Sequence, residues 1–151
     1  MGALAGGGIR VLNEDVVNAL KIPSHVVDAV ASREQREVDR RNRMYRGRRP
    51  RPDVRDRTVL LVDDGLATGS TMRAAVAALR KQQPARIVVA VPTASPDVCE
   101  EFRSIAEDII CVETPTPFYA VGNWYEDFSQ TTDEEIRELL SRAAHDQPTA
   151  C

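Results

Sequence analysis

Asp63 and Asp64 stand side by side a few residues ahead of Thr68-Gly69-Ser70-Thr71. Carboxylates accept hydrogen bonds from paired sugar hydroxyls or from the water shell of a magnesium ion. The small residues from Gly65 to Thr71 let a backbone close around an anion, and Thr68, Ser70 and Thr71 add hydroxyl donors. Two aspartates would repel a phosphate, so they must face another part of the same ligand. A ribose carrying a 5-phosphate satisfies both halves.

The flanking residues say how such a loop would be held. Val59-Leu60-Leu61-Val62 is a short apolar run, the pattern of a parallel strand buried on both faces. Met72 to Leu79 is rich in Ala and Leu and predicts a helix. The loop therefore lies at the carboxyl end of a strand, where open α/β sheets bind ligands, and the first amides of the next helix are free to meet an anion. Two other phosphate motifs are excluded: Gly69 is followed by Ser70 rather than the Lys of a P-loop, and a dinucleotide fingerprint needs three glycines where this loop has Gly65 and Gly69. A receiver-like domain also places acidic pairs near strand ends but leaves Thr68 to Thr71 unexplained. An ordinary strand-turn-helix, with the aspartates as turn formers, is the bland reading.

From Val59 to Thr71 the chain resembles the type I phosphoribosyltransferase family, whose fingerprint is an apolar strand, two acidic residues, a short spacer and a Thr-Gly-small-Thr loop. The resemblance implies an α/β fold with a mostly parallel sheet flanked by helices and a small hood. It implies transfer of a 5-phosphoribosyl group from phosphoribosyl pyrophosphate (PRPP) to a nitrogenous base, with Mg2+ as cofactor and pyrophosphate released. Asp63 and Asp64 would meet the ribose hydroxyls, and Gly65 and Ala67, Thr68, Gly69, Ser70 and Thr71 would surround the 5-phosphate. The alternative is a non-catalytic domain that binds PRPP or a nucleotide and regulates. Some members acting on 6-oxopurines carry an acidic residue at the place of Ala67 and a lysine where this chain reads Val91-Pro92-Thr93, which argues against hypoxanthine or guanine and leaves adenine-type, orotate-type and other acceptors open. Members also carry a strand and a pyrophosphate-gripping loop ahead of the region resembling Met1 to Asn13. The expectation is that another subunit supplies that grip, that the chain is shortened, or that it binds PRPP without turnover.

The rest of the chain reads as one domain over residues 1–145 with a frayed tail, 146–151. Met1 to Leu12 suggests two short strands around Gly6-Gly7-Gly8, and helices are expected over Glu14 to Leu20 and from Pro23-Ser24 to about Arg46. Strands at 86–91 and 108–112 alternate with a helix from Ser95 through Ile105, a parallel-sheet signature. A closing helix covers Asp133 to Ala144, capped by Thr131 or Thr132.

The formal charge of −3 hides an asymmetry: residues 33–57 hold 11 Arg against 5 acidic residues, and residues 97–146 hold 13 acidic against 3 basic. Residues 32–57 form a basic arm, and the family resemblance implies a mobile loop over the site ahead of the phosphate strand, where Arg46, Arg48, Arg49 and Arg51 could meet pyrophosphate. Acidic residues interleave Arg33 to Arg43, the pattern of a solvated helical face rather than a nucleic-acid surface. Residues 114–130 form an aromatic segment holding the sole Trp, two of three Tyr and two of three Phe. Its Val121-Gly122 step is similar to the hood of purine phosphoribosyltransferases, so Tyr119 and Trp124 are candidates to stack on a nucleobase. Alternatively Phe118, Trp124 and Phe128 pin the segment to the core. His25 and His145 have no evident partner. Cys99, Cys111 and Cys151 show no metal spacing and read as reduced thiols of a cytoplasmic protein. No apolar stretch reaches membrane-spanning length. The expected partners are PRPP, a nucleobase or related acceptor, and further copies of the chain, with neither membrane nor nucleic acid.

Overall fold

A computed structural model describes residues 2–5, 9–12, 14–47 and 52–145. The expectations for residues 6–8, for Arg48, Arg49 and Arg51, and for the 146–151 tail with Cys151 lie outside these residues. Three strands, β3 (Thr58–Val62), β4 (Arg86–Thr93) and β5 (Asp108–Glu113), form a parallel sheet in the order β3-β4-β5. Helices α3 (Ser70–Arg80) and α4 (Pro96–Phe102) connect them. Ahead of this unit come an antiparallel pair, β1 (Gly2–Ala5) and β2 (Ile9–Leu12), then α1 (Glu14–Ala19) and the long α2 (Ser24–Arg46). The chain closes with α5 (Asp133–His145). Sheet, flanking helices and parallel order are the α/β architecture expected from the alternation of elements.

The core lies on one side of the sheet. Ile87, Val89 and Val91 of β4 and Ile109 of β5 pack against Met72 and Val76 of α3 and Cys99 and Phe102 of α4. Phe102, Ile87 and Val89 are the largest side chains removed from water. The sequence predicts β3 covered on both faces; the structure corrects this. Leu60 and Val62 are 58% and 69% exposed, as Ile110 and Val112 of β5 are exposed on the same face. Side chains alternate along each strand, so helices α3 and α4, both on one side, cover only every second residue. The apolar run recorded strand character but not which elements would cover it.

Boundaries shifted for local reasons. β4 continues through Pro92 to Thr93, beyond the predicted end at Val91, because its pairing with β3 stops at Ala90 while the β5 side runs on to Thr93–Glu113. Helix α4 stops at Phe102 rather than Ile105, and residues 103–105 form turns that bring the Glu107 amide onto the Ile87 carbonyl at 3.0 Å. At α4 the Ser95 hydroxyl accepts from the Val98 amide at 3.3 Å, as the Ser-Pro-Asp start predicts. At α5, Thr132 and Glu135 form a reciprocal capping box: the Glu135 amide donates to the Thr132 hydroxyl at 3.2 Å and the Thr132 amide to the Glu135 carboxylate at 2.8 Å.

Cys99 and Cys111 form a disulfide between α4 and β5, correcting the expectation of free thiols. Packing of α4 on β5 brings their Cα atoms to 6.8 Å, a proximity that spacing along the chain does not reveal. The bridge closes a separation of 12 residues, so reducing it is expected to lower stability by about 3 kcal/mol. Denaturant unfolding with and without a dithiol, with Cys99→Ser as reference, measures this; coincident curves for the untreated and reduced protein would contradict it.

The arginine-rich part of α2 is not a uniformly solvated face. Arg40 bonds Glu37 and also Asp133 of α5 at 3.2 Å, and the Tyr45 hydroxyl donates to the other Asp133 oxygen. Arg40 and Arg41 hold the Glu37 carboxyl down at about 2, and the Tyr45 hydroxyl, with Arg40, holds Asp133 below its ordinary range. Both folded values lie below the unfolded ones, so their contribution is fully present above the carboxylate range and is lost as pH falls through the folded values. Glu37 supports α2 itself down towards about 2, whereas the α2–α5 junction should weaken as pH falls below the ordinary Asp133 value of 3.8 and on through its lower folded value. A melting-temperature profile whose acid limb is unchanged by Asp133→Asn would rule this out.

Candidate functional site

The loop between β3 and α3 is built from the bottom by Leu66. This spacer residue is buried, extends the parallel pairing as a bridge to Ala94, donates its amide to the Thr93 carbonyl at 3.0 Å and accepts from the Ser95 amide at 3.1 Å. Gly65, just before it, is held so close that a Cβ would lie 2.9 Å from the Thr93 carbonyl oxygen and 2.7 Å from a Val121 methyl. A side chain there has no room, which accounts for the glycine.

Asp63 and Asp64 follow directly on β3, at the carboxyl end of the sheet. The Asp64 amide donates to the Asp63 carboxylate at 3.0 Å. Partial burial pushes the Asp63 carboxyl above its ordinary value, and the neighbouring Asp64 charge adds to that shift. Among the described residues neither carboxylate belongs to an ion pair. Two acids left without a counter-charge at a loop of small residues suit a ligand that brings cationic or hydroxyl groups.

The second half of the loop turns on Gly69, which sits at φ +67° ahead of α3. A Cβ on Gly69 would lie 2.6 Å from the Phe102 ring and 3.0 Å from a Val98 methyl, so α4 is the wall against which the loop rests. The Thr68 and Ser70 hydroxyls are 3.2 Å apart, and the Ser70 amide points at the Thr68 hydroxyl at 3.5 Å. Ala67, Thr68 and Thr71 are exposed and Ser70 partly so. The structure thus brings Asp63, Asp64, Gly65, Ala67, Thr68, Gly69, Ser70 and Thr71 into one continuous turn between a strand end and a helix start, where α3 presents unpaired amides.

No group of three His, Cys, Asp or Glu among the described residues could by itself cage a metal. The donor set fits magnesium that keeps waters and arrives with a phosphate ligand, since such an ion needs only one or two carboxylates from the protein. Asp63 and Asp64 are the residues that fit.

The aromatic segment lies beside the acidic pair. Tyr125 donates its hydroxyl to the Asp64 carbonyl at 2.6 Å, and its ring tilts against Phe128 at 5.1 Å. Phe128 packs on Gly122, where a Cβ would meet its ring at 2.8 Å. An open cleft of about 540 Å³ is lined by Asp64, Tyr125, Phe128 and the polar residues 127 and 129–131. Tyr119 is 80% exposed, and Trp124 stacks on Phe118 at 6.4 Å; neither lines that cleft. The segment is tied down by Val121, part of the Val121-Gly122 step noted in the sequence, and by Tyr125, which sequence reasoning did not single out. A tyrosine three residues after Gly122 offered a weak signal, but its target, a backbone carbonyl 61 positions earlier, left none.

Arg46 ends α2 as an exposed residue with no hydrogen bond or ion pair among the described residues. Its companions Arg48 and Arg49 fall outside those residues. No helix among the described residues is long and apolar enough to cross a membrane.

Comparison with known proteins agrees with this geometry. The model of the phosphoribosyl transferase domain matches residues 3–122. Two Mycobacterium tuberculosis proteins, one from strain H37Rv named "Putative phosphoribosyl transferase Rv0571c" and its counterpart from strain CDC 1551, are each 38% identical over 145 residues, 96% of this chain. The chain spans only 33% of their length. The crystal structure of TT1426 from Thermus thermophilus superposes with a TM-score of 0.72 at 34% identity, covering 92% of this chain and 65% of that one. With a family model matched over most of its length and a solved neighbour of the same fold, the chain belongs to the phosphoribosyl transferase domain family.

Proposed function

We propose that this domain binds PRPP at residues 63–71 and transfers its 5-phosphoribosyl group to a nitrogenous acceptor, releasing pyrophosphate. The observation that carries the reading is the juxtaposition of two uncompensated carboxylates with a turn of small, largely exposed residues at the start of α3. The turn from Ala67 to Thr71 holds the 5-phosphate through backbone amides and the hydroxyls of Thr68, Ser70 and Thr71. Asp63 and Asp64 accept hydrogen bonds from the ribose hydroxyls, fixing the ring between the two ends of the loop. Asp63 and Asp64 would hold a water-shelled magnesium ion that arrives with PRPP, and that ion would supply positive charge opposite the pyrophosphate.

In the step itself the bond from the anomeric carbon to pyrophosphate oxygen breaks with its electron pair leaving on that oxygen, a carbon–nitrogen bond forms, and the acceptor nitrogen gives its proton to the departing pyrophosphate or to water. Asp63 and Asp64 act through orientation and field, stabilising positive charge that develops on the sugar. The cleft beside Asp64 offers the acceptor a place, with Tyr125 and Phe128 as its aromatic wall and Tyr119 and Trp124 within the same segment. Arg46, Arg48 and Arg49 are the candidates for pyrophosphate.

Pyrophosphate release from PRPP across a panel of nucleobases and simpler amines tests the transfer. Release with one acceptor supports it. Binding of PRPP without release from any of them would replace it with the regulatory reading.

A further inference from the structure

Arg73 is not part of the fingerprint, yet it meets the phosphate loop from below. One nitrogen of its guanidinium donates to the Thr68 carbonyl at 2.5 Å, two others form a fork with the Glu101 carboxylate of α4, and the group lies over the Phe102 ring at 5.4 Å. Its backbone amide donates to the Gly69 carbonyl at 2.8 Å. The guanidinium thus holds the Thr68 carbonyl, while the Gly69 carbonyl is held by the ordinary first-turn bond of α3. We propose that Arg73, locked by Glu101, is a positioning residue that turns the Thr68 carbonyl away from the anion and presents the Gly69 amide to it.

The reason is geometric. A peptide group is planar and trans, so its carbonyl and the following amide point in opposite directions. Fixing the Thr68 oxygen on Arg73 fixes the Gly69 amide on the other side, and among the described residues that amide has no acceptor. Left free, the left-handed Gly69 could flip the peptide and aim the Thr68 oxygen at the phosphate, because glycine resists neither conformation. The charge of Arg73 is matched by Glu101, so its contribution is direction rather than field. A fork of fixed geometry is what guanidinium supplies and ammonium does not.

The inference rests on the reading of residues 63–71 as a phosphate site, and its test separates the two. Wild type, Arg73→Lys, Arg73→Met and Glu101→Gln are titrated with ribose 5-phosphate and with magnesium PRPP, and amide spectra of Thr68 to Ser70 are recorded with and without ligand. The expected result is roughly tenfold weaker binding of both ligands in Arg73→Met and Glu101→Gln. Arg73→Lys should recover only part of the loss, and the Gly69 amide should be displaced in every variant, although the far-UV signal is unchanged. Glu101→Gln keeps the arginine and guards against a simple folding defect. Affinities within twofold of wild type would overturn the inference. If wild type binds neither ligand the functional reading fails, and the ligand-free spectra still decide: a Gly69 amide unmoved in Glu101→Gln and Arg73→Met overturns the positioning role, and a displaced one supports it.

Discussion

Gly69→Ala is expected to lower stability by about 3 kcal/mol and to remove phosphate affinity at the same time. The first part is a sum of two costs. An L-residue at φ +67° gives up about 1 kcal/mol, and a methyl group 2.6 Å from the fully buried Phe102 ring forces α4 or the loop to move, the overpacking cost of about 1–3 kcal/mol. The second part follows because the loop itself is what moves. Gly47 supplies a contrast in packing: at φ +58° and ψ −124° it has a backbone that side chains avoid, but a Cβ there would meet nothing within 4 Å, so Gly47→Ala should carry a backbone cost of about 1–3 kcal/mol with no overpacking and leave ribose 5-phosphate affinity as in wild type. Chemical denaturation of the two variants and titration with ribose 5-phosphate check both parts. Wild-type ribose 5-phosphate affinity in Gly69→Ala would show that the wall made by Phe102 and Val98 is not what fixes the loop.

Asp63→Asn should change stability and binding in opposite directions. Burial, reinforced by the Asp64 charge, raises the folded-state value of Asp63, so the unfolded chain releases that proton more readily and ionisation disfavours the native state. The cost is absent below the ordinary value of 3.8 and is present once pH has risen through the folded value. Asn keeps an oxygen to accept from the Asp64 amide, so Asp63→Asn should melt slightly higher than wild type at neutral pH, with the difference disappearing in acid. The effect stays small because the group is only half removed from water. Binding should fall by about 10- to 100-fold, the loss of hydrogen bonds between ribose hydroxyls and a charged acceptor. A residue that costs stability and supplies affinity is the pattern of a functional position. A variant that melts lower and binds PRPP as tightly as wild type would remove Asp63 from the site.

The features legible in the sequence are the local ones. Strand, acidic pair, small-residue turn and helix follow one another within the stretch from Val59 to Leu79, so their order alone places the candidate site at the end of a strand. The Ser95-Pro96 start of α4 is legible for the same reason, because a cap and its partner sit within one turn, and so is the start of α5, narrowed to Thr131 or Thr132 in the sequence and placed at Thr132 by its bonds to Glu135. What the sequence concealed depends on contacts between distant segments. The Cys99–Cys111 bridge needs α4 packed on β5, and the Arg73 fork needs α3 beside α4. The open face of Leu60 and Val62 reads as buried because periodicity reports the strand, not its neighbours. The aromatic segment was found by composition, but composition could not tell Tyr125, tied to Asp64, from Tyr119, standing in solvent.

The most direct test of the central claim is calorimetric titration of magnesium PRPP into this protein and into Asp64→Asn. Binding at one site is predicted in wild type, competed by ribose 5-phosphate, with a loss of at least about tenfold in the variant. No heat of binding in wild type, or equal affinity in the two proteins, would contradict the assignment of residues 63–71 as the PRPP site.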